Sequence, residues 1–182
     1  RDIADTQAMI DAATRYKHAV VIGGGLLGLE AANGLMLRGM QVTVVHLMPW
    51  LMERQLDDVA GALLQKSLEQ RGLRFRLGAQ TDSLLGDEQG RVKAVRFKDG
   101  SEVPAELVVM AAGIRPRTDL ALDAGLHCIY DGRGGIAVND TLQTLTDPRI
   151  YAVGECAAHR GTTYGLVAPL FEQGKVAANH LA

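Results

Sequence analysis

The sequence lacks the features that would direct it to a membrane or to nucleic acid. Its longest apolar runs, such as 19–22 and 107–112, are strand-sized and far below the roughly 20 residues that span a bilayer. Residues 1–17 mix charged and apolar side chains and contain no signal-peptide core. With 19 basic and 21 acidic residues the formal net charge is −2, so no basic surface is offered to nucleic acid. We therefore expect a cytoplasmic protein with small-molecule partners, no nucleic acid and no membrane.

Cysteine is also scarce. Only Cys128 and Cys156 occur, and neither belongs to a Cys-x-x-Cys pair. Together with His127 and His159 they could offer four donors, but the spacing matches no common zinc framework and adjacent residues rarely ligate together. We expect reduced, buried thiols and no metal site. No catalytic residue is evident from the sequence, and we name none.

The first half of the chain has the pattern of an α/β protein. An amphipathic helix is predicted over 5–16, which makes 1–17 a linker helix. A continuous apolar run at 18–22 ends at glycine, as expected for a parallel strand buried on both faces. The predicted elements that follow are a helix over 29–37 whose start lies near Leu26, a strand at 41–45, a helix from about 56 to 70 and a strand at 73–77. The order is β-α-β-α-β.

After this unit the apolar period changes to two. Short antiparallel strands are predicted at 79–85, 91–97 and 102–103, and a buried strand at 107–111 returns to the main sheet. The expected fold is therefore a Rossmann-like parallel sheet with a β-meander insertion, over 18–113. We place a domain boundary near Ile114, so that 114–182 forms a second part. Its predicted features are turns at 131–135, a strand at 136–138, a strand at 150–153, a loop at 154–161 and a helix over 169–181.

The turn after the first strand carries a G-x-G-x-x-G pattern, formed by Gly23, Gly25 and Gly28. The string alone is weak, but a strand before it and a helix after it make it a dinucleotide-binding signal. Gly23 allows the tight turn, Gly25 lets the backbone approach a pyrophosphate, and Gly28 permits close packing of helix and strand. The first helical residues, Leu26 and Leu27, point their amides at the phosphates. A turn that serves only packing is the alternative.

Two polar residues beside this turn have open roles. His46 follows the second strand, where NAD-preferring proteins usually place a carboxylate that binds the ribose. An imidazole there decides neither for NAD nor for NADP. Glu30 is predicted in the first turn of the helix, where a carboxylate is favourable with the helix dipole. Its other possible roles are a contact with the nicotinamide carboxamide or the orientation of a neighbouring cation near the flavin.

A second candidate region is Ile150–Glu155, where a predicted buried strand delivers Glu155 at its carboxyl end, directly after Gly154. Ligands bind at this edge of open α/β sheets, and a carboxylate there can accept hydrogen bonds from sugar or polyol hydroxyls. A carboxylate that caps a turn or helix is the alternative.

Three ordered motifs resemble the pyridine nucleotide-disulfide oxidoreductase superfamily. They are 21–32, 111–116 and 150–156, and they cover nearly the whole chain. The resemblance implies that the first motif binds NAD(P)H, that the second, around Gly113, connects back to a flavin domain, and that Gly154 and Glu155 contact FAD. The family usually has Asp at the position of Glu155. It also uses a second glycine motif for the ADP half of FAD, which this chain lacks.

Further segments resemble the reductase portion of the NAD(P)H-dependent nitrite reductases. These segments are 46–57, the Gly-Glu-Cys ending at Cys156, and 164–169. The resemblance implies hydride transfer from NAD(P)H to FAD within a larger flavoprotein. Because the chain begins with Arg1 rather than Met, we expect it to be a portion of that polypeptide, with 114–182 the C-terminal part of a FAD-binding domain.

Other functions remain open at this point. A fragment of a rubredoxin or ferredoxin reductase, or of an NADH oxidase, would carry the same motifs. A nucleotide-sensing module without turnover would need the glycine turn but not Ile150–Glu155. A methyltransferase is a further possibility if only the glycine turn is considered.

Overall fold

The computed structural model describes residues 2–129 and 134–182, and it divides into the units Arg1–Gly113 and Ile114–Ala182. In chain order the first unit contains α1 (Ile3–Arg15), β1 (His18–Ile22), α2 (Leu26–Leu37), β2 (Gln41–Val45), α3 (Asp58–Gln70), β3 (Arg74–Arg76), β4 (Thr81–Gly86), β5 (Val92–Phe97), β6 (Glu102–Pro104) and β7 (Leu107–Met110). The second unit contains α4 (Asp119–Asp123), β8 (Ile136–Val138), β9 (Ala157–His159), β10 (Thr162–Thr163) and α5 (Val167–Leu181).

A four-stranded parallel sheet organises the first unit, in the order β3-β2-β1-β7. This is the strand order of half a Rossmann fold, with β1 in the middle and the chain returning to its other side at β7. The sheet therefore has the switch point of a doubly wound fold between β1 and β7. The predicted α/β class and the parallel sheet are confirmed.

Each face of the sheet is covered by a different layer. Ala19 and Val21 of β1 are buried in a core that includes Leu29 and Ala32 of α2. Val20 lies between them in the strand, so its side chain points to the opposite face of the sheet, where it is buried with Val95 and other residues of the meander β4-β5-β6. Because successive side chains of a strand point to opposite faces, a continuous apolar run is what a doubly covered strand requires. The meander insertion thus takes the place of a crossover helix on one side.

The second unit is built around a small sheet in the order β10-β9-β8, in which β8 and β9 are parallel. Several elements of this unit differ from the sequence predictions. The predicted loop at 154–161 contains β9, and neither α4 nor β10 was predicted. Of the predicted turns at 131–135, residues 131–133 lie outside the described part of the chain.

The prediction of a buried strand at 150–153 is wrong. Tyr151 makes only an isolated bridge to Gln143, and Ile150 and Val153 are each 39% exposed. One edge of β8 pairs with β9 and the other with the segment around Thr144, which bridges to Val138. The segment 150–153 bonds to the outer side of that segment, through the Thr144 N–H to the Ile150 carbonyl and the Ala152 N–H to the Leu142 carbonyl. A short apolar run does not by itself distinguish a sheet strand from such an extended segment.

Candidate functional site

The turn between β1 and α2 is held in place by close contacts around two of its glycines. Gly23 has φ +127°, in the region that favours glycine, and a Cβ atom there would overlap the carbonyl oxygen of Ala111. A Cβ atom at Gly28 would overlap the carbonyl oxygen of Gly23. The helix therefore packs directly against the turn, and neither position accepts a side chain without a backbone shift.

Gly25 differs from its neighbours because it faces open space. A Cβ atom there would have no neighbour within 4 Å. Gly25 is the N-cap residue of α2, and its carbonyl accepts the Leu29 N–H at 3.0 Å. The fold itself thus places no packing demand on the missing side chain at this position.

The first turn of α2 presents unpaired donors at the same place. Within 2–129 and 134–182, no acceptor is recorded for the backbone N–H groups of Leu26, Leu27 and Gly28. The side chains of Leu26 and Leu27 are 42% and 49% exposed. Amides at a helix N-terminus, together with the positive end of the helix dipole, favour an anion such as a pyrophosphate. The turn and its backbone N–H donors therefore fit a pyrophosphate.

The prediction that Glu30 lies in the first turn of α2 is wrong. The helix begins at Leu26, so Glu30 is in the second turn, and the first turn contains no acidic residue. Its side chain is exposed. Since the dipole interaction falls off within the first turn, Glu30 gains little from it.

His46 is buried beside the turn rather than open to it. Its residue exposure is 9%, its Nδ1 atom accepts the Gly24 N–H at 3.1 Å, and its Nε2 atom lies 2.9 Å from Oε2 of Glu53. An N–H group can only donate, so Nδ1 is the acceptor and Nε2 carries the proton that Glu53 accepts. Both ring nitrogens are therefore already engaged within the protein. Glu53 was not among the residues predicted from the sequence, and no motif spacing indicates its pairing with His46.

The remaining predicted residues lie at loop positions. Gly113 is exposed, with φ +110° and open space at its Cβ position. In the second unit the Gly154 N–H donates to Oε1 of Gln173 on α5 at 2.8 Å, and the half-buried Glu155 follows it. Because 150–153 is not a sheet strand, Glu155 does not stand at a strand end, and α5 instead positions this loop.

The thiols and their neighbouring histidines do not come together as a ligand set. Burial raises the pKa of both Cys128 and Cys156, which favours the neutral thiols. His159 pairs with Asp140, whose pKa is lowered to about 2 by hydrogen bonds from Arg160 and His159. Among the described residues no group of three or more His, Cys, Asp or Glu side chains is arranged to hold a metal ion. No helix in the described ranges is long and apolar enough to cross a membrane.

Comparison with known proteins shows to which protein family this chain belongs. The model of the pyridine nucleotide-disulphide oxidoreductase family matches residues 1–179. The chain belongs to this family. The family resemblance that the three sequence motifs indicated is therefore confirmed.

Curated members of the family share high identity with this chain. A nitrite reductase [NAD(P)H] of Bacillus subtilis (strain 168) is 58% identical over 181 residues, which is 100% of this chain and 22% of that protein. An assimilatory nitrate reductase electron transfer subunit of the same organism is 51% identical over 181 residues, again 100% of this chain and 23% of that protein. The chain thus spans about a fifth of the length of these relatives.

A solved structure of the family has the same fold. The FAD-dependent pyridine nucleotide-disulphide oxidoreductase from Desulfovibrio vulgaris matches with a TM-score of 0.85 and 31% identity. The match covers 99% of this chain and 46% of that one. This agreement extends across both units of the chain, each of which is similar to a part of that flavoprotein.

Proposed function

We propose that this chain is the nicotinamide-dinucleotide-binding portion of a flavoprotein reductase that passes hydride from NAD(P)H to FAD, within a cytoplasmic NAD(P)H nitrite reductase. Residues 18–113 would bind the nicotinamide dinucleotide. Residues 114–182, through Gly154 and Glu155, would contribute to a FAD site that other parts of the polypeptide complete. The flavin supplies the hydride acceptor when bound. The protein supplies position and electrostatics.

The proposal rests mainly on the open space at Gly25, which lies beside three backbone N–H groups, those of Leu26, Leu27 and Gly28, that have no recorded acceptor among the described residues. A pyrophosphate needs close backbone approach and several N–H donors at one point, and this turn offers both. Gly113, at the end of the same unit, would allow the chain to pass close to the flavin. The specific choice of nitrite reductase rests on the 58% identical relative.

Titration of the chain with NADH and with NADPH by calorimetry tests dinucleotide binding at this turn. In Gly25→Val a branched side chain enters the open space, and we expect the Kd to rise roughly thirtyfold or more, a loss of about 2 kcal/mol. Gly34→Val is the matched control, because Gly34 lies within α2 and also has no neighbour within 4 Å of its Cβ position. Thermal unfolding checks that both variants fold, since Val at an N-cap costs helix stability of about 1 kcal/mol. Equal affinities in wild type and Gly25→Val would contradict the proposed site.

The electron acceptor is tested in the natural protein that contains this chain. Nitrite-dependent oxidation of NADH or NADPH, with bound flavin, is the expected result. The 51% identical relative favours a second candidate, an electron transfer subunit for nitrate assimilation. That protein would oxidise NAD(P)H with its partner reductase but not with nitrite alone. Absence of flavin from the natural protein would instead favour a nucleotide-sensing module.

A further inference from the structure

Glu53 is tied to the glycine turn by two separate connections. Through its Oε2 atom it accepts a hydrogen bond from His46, which itself accepts the Gly24 N–H. Its neighbour Met52, at φ +57°, donates its backbone N–H to the Gly24 carbonyl oxygen at 3.0 Å. Both polar groups of the Gly24 backbone are thus used to hold the segment that carries Glu53. A side chain far along the loop is therefore brought to the end of β2.

The end of β2 is where a dinucleotide bound on the glycine turn places its adenosine ribose. Proteins that prefer NAD usually supply a carboxylate at this point from the residue that ends the strand. Here that residue is His46, whose two nitrogens are engaged. The carboxylate that His46 holds is Glu53, so this site receives its acidic group from the following loop.

The Glu53 side chain is also available to a ligand. It is 24% exposed, and among the described residues only the bond from His46 is recorded for its carboxylate, on Oε2. The Oε1 atom has no recorded protein donor in those residues. A carboxylate oxygen fixed in this way can accept hydrogen bonds from vicinal ribose hydroxyls, and it repels a 2′-phosphate.

The arginine nearest to His46 in the sheet does not offset this charge. Arg76 accepts the His46 backbone N–H through its carbonyl oxygen, but its guanidinium turns to Asp99, Ser101 and the ring of Phe97, 4.1 Å from the ring centre. A 2′-phosphate would need a guanidinium or ammonium group at the ribose. The charge that the fold holds at the end of β2 is therefore the carboxylate of Glu53, while the guanidinium of Arg76 is engaged elsewhere.

We infer that Glu53, positioned by His46, is the residue that binds the adenosine ribose and makes the site prefer NADH to NADPH. The inference rests on the proposed function, because it requires the dinucleotide to lie on the Gly23–Gly28 turn. His46 acts as a positioning residue that holds Glu53 and does not contact the ribose. The preference thus depends on a pair of residues seven positions apart, joined by one hydrogen bond of 2.9 Å.

The test is a calorimetric comparison of NADH and NADPH binding to the chain and to Glu53→Gln. Glutamine still accepts the hydrogen bond from His46, so the loop and the fold should be retained. We expect wild type to bind NADH more tightly than NADPH. In Glu53→Gln the NADH Kd should rise about tenfold, the size of one hydrogen bond to a charged group, and the preference should fall by a similar factor because the repulsion is lost. Glu69→Gln is the matched control, since Glu69 is exposed near the end of α3 and this change should alter neither Kd.

The outcomes separate the two proposals. If wild type binds neither dinucleotide, the proposed function is wrong and this inference fails with it. If wild type binds and Glu53→Gln keeps the same ratio of the two dissociation constants, the dinucleotide site stands and the role of Glu53 is overturned. A second variant, Glu53→Arg, should move the preference toward NADPH, and an unchanged preference there would also overturn it.

Discussion

Both backbone polar groups of Gly24 form hydrogen bonds with residues that lie beside the turn. Its N–H donates to His46 and its carbonyl oxygen accepts from Met52. A Cβ atom at Gly24 would lie 2.7 Å from Cγ of His46 and 2.8 Å from Cδ2 of Leu51, which is fully buried. Adjacent glycines in this turn therefore differ: packing excludes a side chain at Gly24, whereas Gly25 faces open space, where we propose that the pyrophosphate lies.

Gly24→Ser and Gly25→Ser separate these two reasons. We expect Gly24→Ser to lower the free energy of unfolding by about 1–3 kcal/mol, because the added atoms force His46 or Leu51 out of place. Gly25→Ser should change it by less than about 0.5 kcal/mol, since its Cβ enters open space and serine is a favourable N-cap. Urea unfolding of the two variants is the measurement. Similar losses in both would show that the close contacts at Gly24 do not limit stability.

At the scale of elements, hydrogen bonds from the backbone to Glu106 hold the start of β1 next to the start of β7. It lies directly before β7, its Oε2 atom accepts the backbone N–H groups of Lys17 at 2.9 Å and of His18 at 3.0 Å, and its own N–H donates to the His18 carbonyl. The N–H groups of Lys17 and then His18 hold the pKa of Glu106 below its ordinary value of 4.5. The charged carboxylate is therefore stabilised by folding.

The pH dependence of stability follows from the sign of this shift. A group whose pKa is lowered by folding contributes stability above its unfolded value, and that contribution is lost as the pH falls through the folded value. We expect Glu106→Gln to lower Tm by up to a few degrees at pH 7. This is the change in Tm that follows from losing one half-exposed interaction of a charged group. The difference from wild type should shrink as the pH falls below about 4.5. A difference that stays constant from pH 7 to pH 3 would contradict this role, and Glu69→Gln, an exposed carboxylate on α3, should show no such trend.

The elements differ in how well the sequence predicts them. The strands β1, β2 and β8 have the predicted bounds, because apolar runs between glycines or polar residues define them locally. The extended segment 150–153 was predicted as a strand and is not one, because its tertiary partner is the irregular segment around Gln143 and Thr144, which the apolar run of 150–153 does not reveal. The glycine turn was predicted from its spacing. The pairing of His46 with Glu53 was not, because it depends on a loop that folds back over the turn.

At the scale of the whole molecule, the residues proposed for the two cofactors fall in different units. The residues proposed for the nicotinamide dinucleotide site, which are the glycine turn, His46 and Glu53, all lie in Arg1–Gly113, which has its own buried cores around β1. Gly154 and Glu155 lie in Ile114–Ala182. The first unit therefore contains every residue that we propose for the nicotinamide dinucleotide, while the second contains only part of what a flavin needs.

This division predicts the behaviour of the 182-residue chain with flavin. We expect it to purify without stoichiometric FAD and to oxidise NAD(P)H at no useful rate, while the longer natural protein does both. The chain has a single G-x-G-x-x-G turn, which we propose for NAD(P)H, so no second turn is present for the ADP half of FAD. In the second unit the Gly154 N–H already donates to Gln173. A flavin held through so few contacts would still carry the full entropic cost of association.

The measurement is the visible flavin absorbance of the purified chain, followed by diaphorase assays with NADH and added FAD. The longer natural protein, prepared in the same way, is the control. Without bound flavin the nicotinamide has no hydride acceptor, and burial raises the pKa of both cysteine thiols, so neither offers a ready thiolate as substitute chemistry. A yellow chain with one FAD per molecule and steady diaphorase activity would overturn this account. It would mean that 114–182 binds flavin through contacts other than a glycine turn, and that the two units suffice for electron transfer.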